Sequence, residues 1–465
     1  MTDIDATSAG VTGGFAAALA RLGREPLPEE ALVAARHCLL DWIGVSLAGR
    51  HEPLVDILVD EALDDGAGGV LPLIGRPERL PLSQAVLITG AMSHALDYDD
   101  VHLAMQGHPG VAVIPAAWGL AIAGGHDGAA FLRAVIAGYD IACRLGRYVG
   151  PSHYRRGWHA TGTVGTFGAM AASAVLLKLD EARIAQAFGI AGTQAAGLKA
   201  VFGTMSKPLH AGRAAMNGLF AARLAARGFT AHPDILGVAQ GFTDTQSDCA
   251  DPEGAFAPAP MVGGVDGGHI RATLFKYHAA CYLTHSSIEA VRSLTDAAPL
   301  DPQSVRRVVV RVDPGHLRVC NIPEPRTGLE IKFSLRMTTA LALAGEDTSR
   351  DALYSDATAA RPDLVALRDM VTVEPREASS ATLSEVEITL ADGTVRRAAF
   401  DVGVPAPDLD RQWQRLSAKF LGLAGPVLGA AGAQAVLERV RGLDAGSDLA
   451  DLARLCAAAP PPMAN

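Results

Sequence analysis

From its first residues to about position 265, this chain places apolar residues at helical spacing and interrupts them with Gly and Pro, as in PEEALVAARHCLLDWIGVSLAG and GAAFLRAVIAGYDIACRLGRYVG. Nothing in that stretch alternates as a strand would. So many helical faces carry Ala or Gly that the helices must approach closely, which predicts one large all-helical domain. After MVGGVDGGHI, whose glycines read as a connection, the texture changes. VRRVVVRVD is β-branched, and SEVEITLADGTVRRAAF alternates Val386, Ile388 and Leu390 with Glu385, Glu387 and Thr389 before an Asp392-Gly393 turn, the pattern of a hairpin. Helical stretches at His285 to Leu294 and Lys332 to Leu343 lie among these strands. The expected fold class is mainly α with α+β: a large all-helical domain from residues 1–268 and 405–465, and a smaller α+β domain from residues 269–404. The segment from LDRQWQRLSAKFLGLAG onward is helical again and is expected to return to the first domain. The tail AAAPPPMAN is low in complexity.

A chain of 465 residues is too long for one ordinary core, so two or three domains are expected. Hydrophobic residues at 49% and charged residues at 19% describe a folded globular protein. Fifty acidic against forty basic residues give a net charge of -10, the wrong sign for tracking a phosphate backbone, so no nucleic-acid partner is expected. The start, MTDIDATSAG, holds two Asp and no basic residue, the reverse of a secretory signal, and a cytoplasmic location is expected. The longest uncharged runs, Gly110 to Gly125 and Ala160 to Leu177, are short for a bilayer and read as buried core helices, with no membrane partner. Six scattered cysteines with no CxxC pair or Cys/His ligand spacing suggest reduced thiols rather than disulfides or structural zinc. GTVGTFG lacks the strand context and acidic follow-up of a dinucleotide fingerprint, so Gly162, Gly165 and Gly168 read as tight helix packing. No GxxxxGK[ST] loop occurs, and no cofactor is expected.

The chemistry-bearing residues are unevenly spread. HALDYDDVHLAMQGHPG, His94 to Gly110, packs Asp97, Asp99, Asp100, His94, His102 and His108 into seventeen residues. A metal site, an acid-base centre and a solvated capping turn all fit such a cluster, but DYDDVH has neither zinc nor calcium-loop spacing, and no metal is expected. Asp97 follows the apolar Ala95-Leu96, and His108-Pro109 opens the apolar run GVAVIPAAWGLAIAG, so both sit at the edges of buried helices, where a proton could be exchanged. PSHYRRGWHATGTVG adds His153, Tyr154 and His159. In SKPLHAGR, Ser206 can cap a helix that Pro208 begins, placing Lys207 at the positive end of its dipole, with His210 and Arg213 following at three-residue spacing. That arrangement suits a carboxylate or phosphate as well as a solvated basic helix end. FKYHAACYLTH supplies Lys276, His278, Cys281 and His285.

Taken in order, HALDYDD with GHPG, GWHATGTVGTFGA, FGTMSKPLHAGRAA, KYHAACYLTH and KFSLRMTTALAL resemble the MmgE/PrpD family over nearly the whole chain. The family includes 2-methylcitrate dehydratase, cis-aconitate decarboxylase and iminodisuccinate epimerase. The resemblance implies a helical domain with an α+β lid, a homodimer, a small di- or tricarboxylate substrate and no cofactor. It places Asp97, His108, His159, Lys207 and Lys276 in the catalytic role, with His102, Tyr154, His210, Arg213 and Cys281 around the substrate. Val101 stands where the decarboxylase has Thr, Cys281 where it has His, and Met337 where it has a lid Tyr. A dehydratase-like reaction is expected first; these departures make an epimerase of an imino or amino diacid the second reading and put a decarboxylase third. A catalytically silent diacid binder is the non-enzyme alternative. His159, tuned near neutral pH and oriented by Asp97, is the expected base, with His108 as the second proton carrier.

Overall fold

The structure, a computed structural model, describes residues 10–377 and 380–457. The N-terminal MTDIDATSA and all but the first residue of the low-complexity tail lie outside the described residues. The chain divides into two compact units, Met1–Phe275 with Ala406–Asn465, and Lys276–Pro405. The division falls later than the change in sequence texture suggests. Residues 269–275 stay with the first unit because Leu274 exchanges backbone hydrogen bonds with Val101 at 2.8 and 2.9 Å.

The first unit runs α1 (Gly10–Leu22), α2 (Glu29–Gly49), α3 (Pro53–Asp64), a two-residue antiparallel ladder of β1 (Leu71–Pro72) and β2 (Arg79–Leu80), and α4 (Leu82–His94). It continues with α5 (Gly110–Gly124), α6 (Gly128–Arg155), α7 (Ala160–Leu176), α8 (Glu181–Gly192), α9 (Ser206–Ala226) and the short α10 (Phe242–Gln246) and α11 (Pro252–Phe256). The uncharged runs become α5 and α7, which are buried on nearly every face. α7 packs against α5, α6 and α9. The glycines of GTVGTFG permit that approach: a Cβ on Gly165 would meet Ala112 Cβ at 2.9 Å, and one on Gly168 would meet Val113 Cγ2 at 2.9 Å.

Burial has an electrostatic consequence here. His37, His94, His102, His153 and His269 are buried in this unit, and desolvation of the charged ring brings each down to about 4. Unfolding restores an ordinary value near 6.5, so between about 4 and 6.5 the unfolded chain binds more protons than the folded one. The stability these neutral rings contribute is complete above about 6.5 and is lost as the pH falls to about 4. The calorimetric Tm is expected to fall steadily as pH is lowered from about 7 to about 4.5; a Tm that stays level across that interval contradicts the assignment.

The second unit holds α12 (Tyr282–Ala297), β3 (Val305–Val312), α13 (Gly328–Lys332), α14 (Leu335–Leu343), α15 (Asp356–Ala359), α16 (Pro362–Asp369), β4 (Val371–Pro375), β5 (Leu383–Leu390) and β6 (Val395–Asp401). The sheet order is β4-β3-β5-β6, with β3 and β4 parallel and the other pairs antiparallel. Val386, Ile388 and Leu390 of β5 are buried, and Glu385, Glu387 and Thr389 between them are only partly so, as their alternation requires. Lys332 to Leu343 is two helices rather than one. The Ser334 side chain accepts the Met337 amide and starts α14 afresh.

α17 (Leu409–Arg441) packs along α2 in the first unit and is followed by α18 (Leu449–Cys456). Both α2 and α17 are long and apolar enough to cross a membrane, by length and composition only. α2 is mostly covered by protein, whereas the apolar window of α17 is 22% buried. Between these helices Lys419 Nζ lies 2.6 Å from Asp41 Oδ1, both side chains almost fully enclosed. The same ammonium donates to the Tyr98 carbonyl at 2.7 Å and sits 4.0 Å above the Tyr98 ring.

Candidate active site

The site is built where α4 ends and α5, α7 and α9 begin. His94 is the last residue of α4, His108 precedes the Pro109 cap of α5, His159 is the N-cap of α7, and Lys207 is the second residue of α9. The expected cap of α9 is corrected. Met205 occupies the N-cap with no side-chain bond, and Ser206 lies inside the first turn. Lys207 is nevertheless within that turn, so the partial positive charge of the helix start is beside its ammonium. The starts of α5 and α7 are joined by the His108 amide donating to Thr161 Oγ1 at 3.2 Å, and those of α7 and α9 by His159 and His210, whose Nδ1 atoms are 3.0 Å apart. Three helix N-termini thus face one small region, a favourable setting for an anion.

The loop between α4 and α5 carries the acidic side chains. Asp97 adopts φ 50°, the left-handed region that costs an L-residue energy, and its carboxylate is 41% exposed. Its Oδ1 lies 2.9 Å from Lys207 Nζ and 3.7 Å from His108 Nε2. Asp97 therefore pairs with Lys207 and His108. Asp99 is enclosed, with Oδ2 3.0 Å from His108 Nδ1 and both oxygens 3.0 Å from His94 Nδ1. Burial pushes its pKa up, but the two imidazoles outweigh burial and hold it well below the usual carboxylate range. Asp100 is a packing residue: it accepts from the Gly110 amide at 3.0 Å and pairs with the Tyr139 hydroxyl at 2.6 Å, and burial pushes it up to about 8.

His159 is not poised near neutrality. Burial, then the positive potential of His94, His108, Lys207 and His210, lowers its pKa far below the ordinary value, so the ring is neutral at rest. It packs edge-on against Phe202 at 4.9 Å and stacks 5.9 Å from His94. Tyr154 lies under Lys199, whose Nζ is 3.5 Å from its ring, and the Asp97 charge adds to the burial that raises the phenol. His210 is brought to the site through His159, whereas Arg213 is exposed, because two further three-residue steps rotate it away from Lys207. His102 is also elsewhere in function: Nε2 donates to the His269 carbonyl at 2.9 Å and Nδ1 accepts the Ala104 amide at 3.2 Å, which commits both nitrogens to backbone.

Lys276 and Cys281 belong to the second unit. Lys276 is buried, and its charge helps lower the buried His285, after burial itself and His278. Cys281 caps α12 and hydrogen-bonds Cys320, the first of the causes that raise the Cys320 thiol. Met337 is fully buried in α14.

His94, Asp97, Asp99 and His108 each bring one potential ligand atom within 4.8 Å of the others, a donor set of two imidazoles and two carboxylates that suits a divalent metal. The cation demand of these carboxylates is already met: Lys207 holds Asp97, and the N–H groups of two imidazoles hold Asp99. A dication on these carboxylate oxygens would compete with those partners. Sequence reading singled out Asp97 and His108 and gave no role to His94, Asp99 or Phe202. His94 and Asp99 are five residues apart, a spacing that only the turn after α4 folds into contact.

The MmgE/PrpD N-terminal domain pattern matches residues 13–255, and the MmgE/PrpD C-terminal domain pattern matches residues 278–445. The chain is 26% identical to the cis-aconitate decarboxylase of Aspergillus terreus over 96% of both chains. It is 30% identical to a cis-aconitate decarboxylase-like protein of Aspergillus oryzae over 67% of this chain and 68% of that one. With the human cis-aconitate decarboxylase it shares 26% identity over 82% of this chain and 81% of that one.

Proposed function

This chain belongs to the MmgE/PrpD family, and on that premise we propose that it is a lyase that moves a proton at the carbon α to a carboxylate of a small di- or tricarboxylate, eliminating water. The observation that carries the reading is the grouping of two proton-carrying imidazoles, His108 and His159, with the Lys207 ammonium at three adjoining helix N-termini. A carboxylate makes the adjacent proton hard to remove because the carbanion adds negative charge beside it. Lys207 and the helix N-termini offset that charge in the transition state, where stabilisation raises the rate. One imidazole takes the α proton, the C–H electron pair becomes the new double bond, and the C–O bond breaks. The imidazolium so formed returns its proton, relayed through the other imidazole, to the departing hydroxyl, which leaves as water, and both rings end neutral as they began. Elimination needs both groups, and this is why it ranks first. Asp97 keeps the ammonium in place and His210 holds the His159 ring. Lys276, by its motif, is proposed as a further carboxylate anchor. The named side chains supply this chemistry without a cofactor.

Decarboxylation is the second reading, favoured by the names of the relatives and weighed against Val101, Cys281 and Met337, which stand where the resemblance places Thr, His and Tyr. Epimerisation of an imino or amino diacid is the third. One experiment separates them: incubation of the protein with candidate di- and tricarboxylates in deuterium oxide. Elimination predicts solvent deuterium exchange at the α-carbon and new unsaturation absorbing in the near ultraviolet. Released carbon dioxide would replace it by decarboxylation, and a change of optical rotation with no loss of water would replace it by epimerisation. A protein that binds these acids without exchanging any proton is not an enzyme of this mechanism.

A further inference from the structure

We propose that the buried carboxylate of Asp99 is a positioning residue: shared between His94 and His108, it fixes which nitrogen of His108 carries the proton and stabilises that ring once it becomes charged. The inference rests on the reading of His108 as a proton carrier. Its starting point is the Asp100 carbonyl oxygen, 2.8 Å from His108 Nδ1. A carbonyl oxygen only accepts, so Nδ1 must hold the hydrogen. Asp99 Oδ2, 3.0 Å from the same nitrogen, is a second acceptor for it. The neutral ring therefore has its lone pair on Nε2, the nitrogen 3.7 Å from the Asp97 Oδ1 that also meets the Lys207 ammonium. A base needs that lone pair turned toward the substrate, and the outer hydrogen bond on the other nitrogen is what keeps it there.

Asp99 is suited to the task in a way that Asp97 is not. The Asp97 carboxylate is 41% exposed and paired with an ammonium, whereas the Asp99 side chain is 2% exposed and touches two imidazoles. Enclosed in low dielectric, its charge acts on His108 with little screening by water. His94 completes the arrangement. Its Nδ1 donates to Asp99, and its Nε2 is buried with no hydrogen-bond partner among the described residues, which is tolerable for a lone pair and costly for an N–H. The ring is thereby kept neutral: it helps hold the carboxylate without cancelling its charge. When His108 takes a proton on Nε2 during turnover, the ring that carries the new charge is the one already bound to Asp99 Oδ2 through Nδ1 at 3.0 Å.

The test uses the full-length protein labelled with ¹⁵N at histidine. In the wild type the His108 ring, assigned by the signal lost in His108→Gln, is expected to be protonated at Nδ1 and bare at Nε2, with the Nδ1 proton far downfield. In Asp99→Asn that proton is expected to move upfield, and kcat is expected to fall about 10²- to 10⁴-fold while KM changes by less than about threefold, the pattern of a group that orients and supports a base. A wild-type His108 protonated at Nε2 instead overturns the proposal even if the variant does not fold. So does an Asp99→Asn protein whose kcat stays within about threefold of wild type. The resonance measurement needs no substrate, so a protein that turns over no carboxylate counts against the proposed function while the Asp99 to His108 pairing is still judged by its own signal.

Discussion

Replacing His108 by Gln is expected to lower kcat by about 10²- to 10⁴-fold, the usual contribution of one acid-base group, with KM close to wild type. Gln preserves much of the volume and leaves an amide to meet the Asp100 carbonyl, so the loss measures proton transfer more than packing. Lys207→Ala is expected to behave differently, raising KM and lowering kcat together. Its ammonium meets a carboxylate in the ground state and the growing charge on that carboxylate in the transition state. The two variants therefore separate anchoring from proton transfer in steady-state kinetics on whichever acid proves to be the substrate. If His108→Gln turns over at the wild-type rate, His108 is not a proton carrier, and the elimination scheme loses one of its two required groups.

The second large effect is on stability. Lys419→Met is expected to destabilise the first unit by about 3 to 5 kcal/mol, because it leaves the enclosed Asp41 carboxylate charged and without its ammonium. The pair alone is not what stabilises this region; removing both charges, in Asp41→Leu with Lys419→Met, should recover much of the loss. Recovery should be incomplete, since the Tyr98 carbonyl also loses its donor. Denaturant unfolding of the two variants checks this, and equal destabilisation by the single and double changes contradicts it. Tyr98 lies between Asp97 and Asp99, so the same ammonium anchors the loop that carries both carboxylates. The double variant is accordingly expected to regain stability without regaining full activity.

Much of the architecture was legible in local pattern. The period of apolar residues is a property of neighbours in sequence, so the helices of the first unit, the alternation of β5 and the Asp392-Gly393 turn could be read before any tertiary contact was known. The GTVGTFG glycines were legible for the same reason, since only a side chain of one hydrogen lets α5 and α7 approach as they do. The break between α13 and α14 was less visible, because a single Ser cap competes with an otherwise continuous apolar period.

The site divides along the same line. From sequence alone came a chain rich in close-packed helices, a smaller part with strands, and the residue types of an anion-binding, proton-moving centre: Asp97, His108, His159 and Lys207. Which of these touch was decided only by the tertiary structure. It paired Asp97 with Lys207 and His108, gave His159 to His210, committed His102 to backbone and left Arg213 in solvent. It also enclosed Asp99 between two imidazoles and drove the pKa of His159 down rather than toward neutrality. Hydrogen-bond partners and desolvation are set by groups from four separate helices meeting at their ends, and the distances between such groups are not encoded in the spacing of any one segment.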